Sequence, residues 1–151
     1  MMGDQKMSEQ ITIRLNIESD GSGELLVEFL LNGFSGHGSA WFDLIQLEDQ
    51  VKHFSEFPLS SDHLPSIRGG YWNEDATNIQ QEHVYLSARP KGLTGDVVFV
   101  VRLATPAEAG MDSDLHYSVS AELRATYQQL SEFSANFVRL IRGEIDEVRL
   151  G

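Results

Sequence analysis

Residues 114–143 read DLHYSVSAELRATYQQLSEFSANFVRLIRG, and the spacing of their apolar side chains changes partway along. In the first part every second residue is apolar: Leu115, Tyr117, Val119, Ala121, Leu123 and Ala125. That alternation is typical of a half-buried strand. After Thr126 the apolar residues form one stripe of an amphipathic helix: Leu130, Phe133, Phe137, Leu140 and Ile141. The stretch therefore predicts a strand that leads directly into a helix packed on a sheet.

The rest of the chain shows the same two patterns. Alternating or continuous apolar residues predict strands at 11–18, 24–31, 36–42, 83–89 and 96–103. The strand at 24–31 has apolar residues on both faces, so we expect it to be central in its sheet or covered on both sides. Asp43 is a predicted N-cap for a helix at 44–57, which Pro58 would end. Residues 59–68 are predicted to be loop, and residues 144–151 an edge strand or a tail.

The two predicted helix entries resemble each other. Residues 39–54 and 120–137 both begin with Ser-Ala, and they share the pairs Gln46 with Gln129, Leu47 with Leu130, and Phe54 with Phe137. The match is short and needs a gap, so a pseudo-repeat and chance both remain open. The predicted fold is α+β: an antiparallel sheet of about six to seven strands with two helices on one face, in the order βββα-βββα.

Length and composition indicate one domain. The 151 residues are enough for a hydrophobic core without disulfides, and the chain contains no cysteine. We expect a disordered leader at 1–9 and a single α+β domain at 10–151. The beginning of the chain lacks an apolar signal region, and the apolar runs are too short to span a bilayer. A cytoplasmic location is the expectation.

Net charge narrows the classes of partner. The chain has 11 basic and 23 acidic residues, for a formal charge of -12. The first 75 residues hold 13 acids and 4 bases, a net of -9. Nucleic acids and anionic membranes need a basic face, so neither is expected as a ligand. A basic protein would be attracted by such a field, although acidity that serves only solubility explains the same composition.

Sequence motifs do not indicate a catalytic site. The five histidines lack the spacing of a metal site, and the chain has no nucleophile elbow and no phosphate-binding glycine loop. Ser60, Ser61, Asp62 and His63 contain the residue types of a hydrolase triad, but triads assemble in space and adjacency is no signal. We therefore predict no catalytic, metal-binding or cofactor-binding residue, and no cofactor.

The best candidate for partner binding is the passage Tyr71, Trp72, Glu74 and Asp75. Aromatic side chains beside acids are typical of protein-binding hot spots. The alternative is that Trp72 packs as an edge-strand residue under the preceding loop. Trp41, which comes just before the first helix, is predicted to lie in the core.

A second candidate group lies on the predicted sheet. His83 and His116 occupy polar-face positions and are potential neighbours across strands, with Glu122 or Arg89 nearby. The alternative is that these are ordinary solvent-facing residues of a sheet.

The layout also resembles known proteins. Paired strands, Trp41-Phe42 before a helix, a late YSVSAEL strand and a closing helix are similar to uncharacterised small bacterial α+β proteins. Among these are immunity proteins that accompany wall-associated contact-dependent toxins. The resemblance covers about residues 10–150 without a diagnostic motif, so it assigns no functional residue. It implies a non-enzymatic inhibitor that binds a toxin domain, often a basic nuclease.

Three functions are therefore considered. The first is a non-enzymatic, acidic protein-binding module, including an immunity protein for a basic toxin domain. The second is a small enzyme or ligand-binding protein with a cleft between sheet and loops, for which a deep pocket with His63, His83 or His116 is expected. The third is a structural protein that forms homo-oligomers through an open sheet face.

Overall fold

The computed structural model describes residues 9–93, 95–107 and 116–151. Its strands are β1 (Gln10–Ile17), β2 (Ser22–Leu31), β3 (Phe34–Asp43), β4 (Ser66–Trp72), β5 (Ile79–Lys91), β6 (Asp96–Ala104), β7 (Ser118–Thr126) and β8 (Val148–Leu150). Its helices are α1 (Leu44–Lys52), which a 3₁₀ turn at His53–Ser55 extends, and α2 (Tyr127–Ile141).

The strands form two antiparallel sheets rather than one. Sheet 1 has the order β3-β2-β1-β8 and sheet 2 the order β4-β5-β6-β7. The α+β class with antiparallel strands and two helices is confirmed, but a single sheet of six to seven strands is wrong. Alternation along a strand shows which side chains face inward, but it does not show which strands share a sheet.

Small residues on β3 allow sheet 2 to approach closely. Gly38 faces sheet 2, and a Cβ there would lie 3.2 Å from the carbonyl oxygen of His83. A Cβ at Gly69 on β4 would lie 2.5 Å from the Phe42 ring and 2.8 Å from the Cβ of Ala40. The inner faces of β3 and β4 therefore meet where side chains are absent or small.

The two halves of the chain have equivalent topology. The unit β1-β2-β3-α1 is followed by β4, and the unit β5-β6-β7-α2 is followed by β8. In both cases the strand after the helix leaves its own sheet and pairs with the first strand of the other unit. The chain therefore has the arrangement of two units that exchange their last strands.

The residue pairing between neighbouring strands is also equivalent in the two halves of the chain. Ser22 lies opposite Asp43, as Asp96 lies opposite Thr126, and each pair directly precedes a helix. At the exchanged strands, Ile11 lies opposite Leu150 and Val84 lies opposite Gly69. The resemblance of the two helix entries therefore extends through the whole fold as a pseudo-two-fold relation.

The two helices meet at equivalent positions. The Oγ of Ser134 donates a hydrogen bond of 2.9 Å to the carbonyl oxygen of Val51, and both residues are buried. Val51 is eight residues after the N-cap of α1, and Ser134 is eight residues after the N-cap of α2. The two helices therefore contact each other through residues at equivalent positions.

Local signals set the helix ends. Asp43 accepts hydrogen bonds from the backbone of Ile45 and Gln46, and Thr126 forms a complete capping box with Gln129, as predicted. Gly143, with φ of 75°, follows the end of α2. The predicted continuation of the first helix to residue 57 is wrong, because the chain tightens into a 3₁₀ turn and Glu56 is already extended before Pro58.

The core lies between the two sheets and the two helices. Four buried phenylalanines form its centre, with ring centroids 5.2–6.0 Å apart: Phe54, Phe99, Phe133 and Phe137. Such tilted and edge-to-face pairs add to the stabilisation from burial. The predicted apolar stripe of α2 is confirmed, since its five members are all buried.

Of the remaining predictions, the loop at 59–68 needs revision, and the others agree with the structure or lie outside the described residues. The predicted loop at 59–68 overlaps β4, whose glycines hid a strand signal, while residues 144–151 contain the edge strand β8. Strand β2 is interior in its sheet, which agrees with the first of the two alternatives predicted for it, and its outer face is open, because Leu26 and Leu30 are exposed. The predicted leader lies outside the described residues except for Glu9, and Leu115 of the opening stretch also lies outside them.

Candidate functional site

Both tryptophans of the chain line one cleft, although they lie on different sheets. The cleft has a volume of about 320 Å³ and is called the Trp41–Trp72 cleft below. Its lining residues come from the end of β3, from α1, from β4 and from the turn after β4: Trp41, Phe42, Asp43, Gln46, Gln50, Arg68, Trp72 and Ala76. Trp41 is 53% exposed and Trp72 is 42% exposed.

Trp41 lies on the outer side of an edge strand. Its neighbours Ala40 and Phe42 point towards sheet 2, so the alternation of β3 turns Trp41 outward. The prediction that Trp41 is a core residue is therefore wrong. Alternation with the small residues Gly36, Gly38 and Ala40 is the signal that would have placed it correctly.

Trp72 reaches the cleft because β4 is irregular. The register with β5 shifts between Gly69 and Gly70 and again between Tyr71 and Trp72. A Cβ at Gly70 would collide with the carbonyl group of Gln81. Bulges of this kind redirect side chains at sheet edges, so β4 presents Tyr71 and Trp72 to different surroundings. Tyr71 packs edge-to-face on His83 at 4.6 Å, whereas Trp72 lines the cleft.

An ordered acidic turn at residues 73–78 adjoins the cleft, which its Ala76 lines. The Oδ1 of Asn73 accepts hydrogen bonds from the backbone of Thr77 at 2.9 Å and Asn78 at 3.3 Å. The Nδ2 of Asn73 also donates to the Thr77 hydroxyl. This network orders the turn, which carries Glu74 and Asp75. Both carboxylates are exposed, and neither forms an ion pair within the part of the chain that the structure describes.

Negative charge dominates around the cleft. Glu24 lies directly opposite Trp41 on β2, and Asp43 is one of the residues that line the cleft. The one cation that lines the cleft is Arg68, whose Nε donates to the Oε2 of Glu82 at 2.9 Å. Since that contact offsets its charge, the surroundings favour a cationic ligand.

One buried polar atom at the cleft lacks a partner. The side-chain oxygen of Gln50, a cleft-lining residue, is buried and accepts no hydrogen bond from any described residue. Buried acceptors are almost always satisfied in folded proteins. The same burial closes this oxygen to a group that enters the open cleft, so it does not define a ligand.

The predicted histidine group is separate from the Trp41–Trp72 cleft. His83 and His116 line one cavity of about 350 Å³ together with Gln81 and Glu82. Glu122 is not part of it, because it contacts Arg89 at 3.2 Å on the outer face of sheet 2.

His83 is buried rather than solvent-facing, with 3% of its surface exposed. Its Nε2 lies 3.0 Å from the Oε1 of Gln81, and Gln81 also bonds both backbone groups of Ala107. Burial lowers the pKa of His83, so its ring is neutral at pH 7. Its neighbours indicate that it fixes the chain after β6, which is a structural role.

Neither a three-ligand metal site nor a helix able to cross a membrane is found among the described residues. Within residues 9–93, 95–107 and 116–151, no three His, Asp or Glu side chains are grouped so that they could hold a metal ion. His63 is exposed in the loop before β4, away from the histidine cavity. Among the described helices, none has the length and apolar character that crossing a bilayer requires.

The outer face of sheet 1 carries a second open surface. A depression of about 350 Å³ there is lined by Leu26, His37 and the chain at residues 104–106. Arg14 and Glu28, 3.5 Å apart, also line it and offset each other's charge. This face is mixed in polarity.

Comparison of the chain with protein-family models, curated proteins and solved structures finds no match. The function must therefore be argued from the geometry of the site.

Proposed function

We propose that this chain is a non-enzymatic protein-binding module that holds a basic partner at the Trp41–Trp72 cleft and the adjoining acidic turn. The observation that carries the proposal is the convergence of both tryptophans, from two sheets, on one cleft beside unpaired carboxylates. Tryptophan side chains contribute most strongly to hot spots when a partner covers them.

Ordering of the site supports binding. The Asn73 network fixes the acidic turn and the glycine bulge fixes the direction of Trp72, so little conformational entropy is lost on association. Charge also supports it, because an acidic surface accelerates the encounter with a basic protein and makes the rate depend on salt.

The inhibitor role implied by the resemblance to immunity proteins is a special case of this function. If the partner is a basic toxin domain, an excess of this chain should abolish the toxin's activity. The variant Trp41→Ala should restore that activity at the same concentration.

A photo-crosslinking experiment tests the proposed function. The residue p-benzoylphenylalanine replaces Gln46, which is exposed at the cleft, or Phe34, which is 72% exposed at the other end of β3 and serves as the matched control. Crosslinking in the native host should yield one basic protein from the Gln46 position and none from the Phe34 position.

The crosslinked protein is then purified and titrated against the chain. The expected result is tight binding that falls at least about a hundredfold in Trp41→Ala, the loss expected for a hot-spot tryptophan. Absence of a partner specific to the Gln46 position, or unchanged affinity in the variant, would contradict the proposal.

The histidine cavity supports a small-ligand-binding function less well than the Trp41–Trp72 cleft supports protein binding. Its most buried member, His83, is already engaged by Gln81 and Tyr71, and the space between sheets and helices is filled by the phenylalanine cluster. The binding module is therefore the function that the described residues support best.

A further inference from the structure

We propose that two copies of this chain join antiparallel through their β7 strands, with residues 121–125 of each copy paired. The inference is separate from the proposed function, because the Trp41–Trp72 cleft is lined from β3, α1, β4 and the turn after β4. It depends on three features of β7: outward backbone groups, a regular pairing with β6, and a pattern of charge that complements itself.

The outward backbone groups of β7 belong to alternate residues. The N–H of Thr105 donates a hydrogen bond of 2.9 Å to the carbonyl oxygen of Tyr117, which continues the pairing of β6 with β7. In an antiparallel pair, residues that exchange such bonds alternate with residues whose N–H and C=O point away. The odd-numbered residues of β7 therefore bond β6, and the even-numbered residues present their backbone groups outward. Thr126 agrees with this, because its N–H bonds the side chain of Gln129 instead of β6.

Among the described edge strands, β7 is the one best suited to accept a further strand. It is nine residues long, contains no proline and pairs with β6 without a register shift. The other edges are less suitable: β8 has three residues, β4 has two register shifts, and β3 contains Gly36 and Gly38. A long, regular edge is a template for another strand.

The charge pattern of β7 indicates that this further strand comes from a second copy of the chain. Two β7 strands can lie antiparallel with Leu123 of each copy opposite the other. Glu122 then lies opposite the partner's Arg124, and Arg124 lies opposite the partner's Glu122. Both residues are exposed and even-numbered, so each facing pair can also exchange two backbone hydrogen bonds. Opposite charges directly across two strands stabilise their pairing.

Neighbouring charges extend this pattern across the outer face of sheet 2. Glu122 accepts a hydrogen bond of 3.2 Å from Arg89, and the Nε of Arg124 lies 4.0 Å from a carboxylate oxygen of Asp96. Pairing of two copies therefore makes a row of alternating sign, from Arg89 and Glu122 to the partner's Arg124 and the partner's Asp96. The formal charge of -12 on each chain opposes association at longer range, where salt screens it.

Two other antiparallel registers match the charges less well. Pairing centred on Glu122 places that carboxylate opposite its own copy, and like charges across two strands destabilise their pairing. Pairing centred on Ala121 places Glu122 opposite a serine, so no attraction between opposite charges is gained. The register centred on Leu123 is therefore the one that the side chains favour.

Sedimentation velocity in about 0.15 M salt measures the dimer. Pairing over residues 121–125 makes a small interface, so wild type should pass from monomer to dimer between about 10 µM and about 1 mM. Arg124→Glu and Glu122→Arg each bring like charges together at both facing pairs, and each should weaken association at least about tenfold. The matched control Arg102→Glu, on β6, changes the net charge as Arg124→Glu does and should stay within about threefold of wild type.

A mixture of the two single variants tests the register. Glu122→Arg carries arginine at both positions and Arg124→Glu carries glutamate at both, so every facing pair in a mixed dimer has opposite signs. The mixture should therefore form a heterodimer with an affinity within about threefold of that of the wild-type dimer. Circular dichroism of each variant checks that its loss of self-association occurs in a folded chain.

Three results would overturn the proposal. Wild type that remains monomeric up to about 1 mM would leave β7 to a strand of a different protein. A dimer that resists both charge reversals would place the contact on another surface. Variants that fail to associate when they are mixed would exclude the register centred on Leu123.

Discussion

The first and second halves of this chain share one plan and differ in what they show to solvent. Both run three antiparallel strands into a capped helix and then exchange a strand with the other half. Several inward positions keep their character, as in Leu47 with Leu130 or Phe54 with Phe137, which are all buried. Outward positions change: where the first half has Trp41, the second half has Arg124.

This difference separates residues that specify the fold from residues available for function. Positions that agree between the halves belong to the core and the caps, which either half needs for folding. Positions that differ at the first helix entry build the Trp41–Trp72 cleft. Gln129 completes the cap of α2, whereas the equivalent Gln46 lines the cleft. Internal comparison therefore locates a candidate site without any related protein.

The largest expected effect concerns the shared core. Phe54→Ala and Phe137→Ala should each lower the free energy of unfolding by about 3–5 kcal/mol, because each removes a fully buried ring at equivalent positions. Urea denaturation followed by circular dichroism measures both. Phe34→Ala, at an exposed site, should stay within about 0.5 kcal/mol of wild type. A cost below about 1 kcal/mol for either core variant would break the equivalence of the halves.

The next effect concerns a position where the halves differ inside the core. Gly69 corresponds to Leu150, because Gly69 pairs with Val84 on β5 and Leu150 pairs with Ile11 on β1, the equivalent strand of the other half. Gly69→Ala should destabilise by about 1–3 kcal/mol, because the new methyl group meets Phe42 and Ala40. Leu150→Ala should also destabilise, for the opposite reason that a buried side chain is lost. If Gly69→Ala leaves the free energy of unfolding unchanged in the same assay, the two sheets can move apart here without loss of stability.

A smaller effect concerns the helix caps. Asp43→Ala and Thr126→Ala should each lower stability by about 1 kcal/mol, because each exposes backbone N–H groups at a helix start. Thermal or urea unfolding measures the change. Gln46→Ala should leave stability within about 0.5 kcal/mol, since that side chain is assigned to the cleft. If Gln46→Ala lowers stability as much as Asp43→Ala does, Gln46 contributes to folding rather than to the cleft.

The smallest effect concerns the ion pair that joins α1 to the end of α2. The Nε of Arg142 donates to Glu48 at 3.1 Å, and this hydrogen bond lowers the pKa of Glu48 below its ordinary value of 4.5. A carboxylate whose pKa is lower in the folded than in the unfolded protein adds stability at pH values above its unfolded pKa. That added stability is lost as the pH falls through its folded pKa. The urea midpoint should therefore decline below about pH 4.5.

A double-mutant cycle isolates this pair. Glu48→Gln and Arg142→Gln should each remove the same part of the decline, and their combination should remove no more. Additive effects of the two variants would mean that the pair does not couple the halves.

Local signals explain which parts of the fold could be predicted. The N-caps at Asp43 and Thr126 and the stripe of α2 depend on residues a few positions apart, so the sequence identifies them. The division into two sheets depends on long-range contacts such as Gly69 against Phe42, which alternation cannot report. For the same reason the sequence predicts loop over the beginning of β4, since the glycines of this strand weaken the strand pattern.

The candidate site was predictable only in part. Trp72, Glu74 and Asp75 stand out as aromatic and acidic neighbours, and the structure places them at or beside the cleft. Trp41 was misplaced because Ala40, Trp41 and Phe42 are all apolar, which hides the alternation. Gln50 carries no signal at all, because an amide on a helix is ordinary until its surroundings are known.

The central claim is that function depends on residues where the first half departs from the second. The most direct measurement compares wild type with Trp41→Arg, which installs the residue of the second half, for binding of a blocked peptide of alternating arginine and glycine. Fluorescence of Trp72 reports binding in the variant, and circular dichroism checks that the fold is retained. The account predicts at least about a hundredfold loss of affinity with an unchanged urea midpoint. Affinity within about twofold of wild type would contradict it.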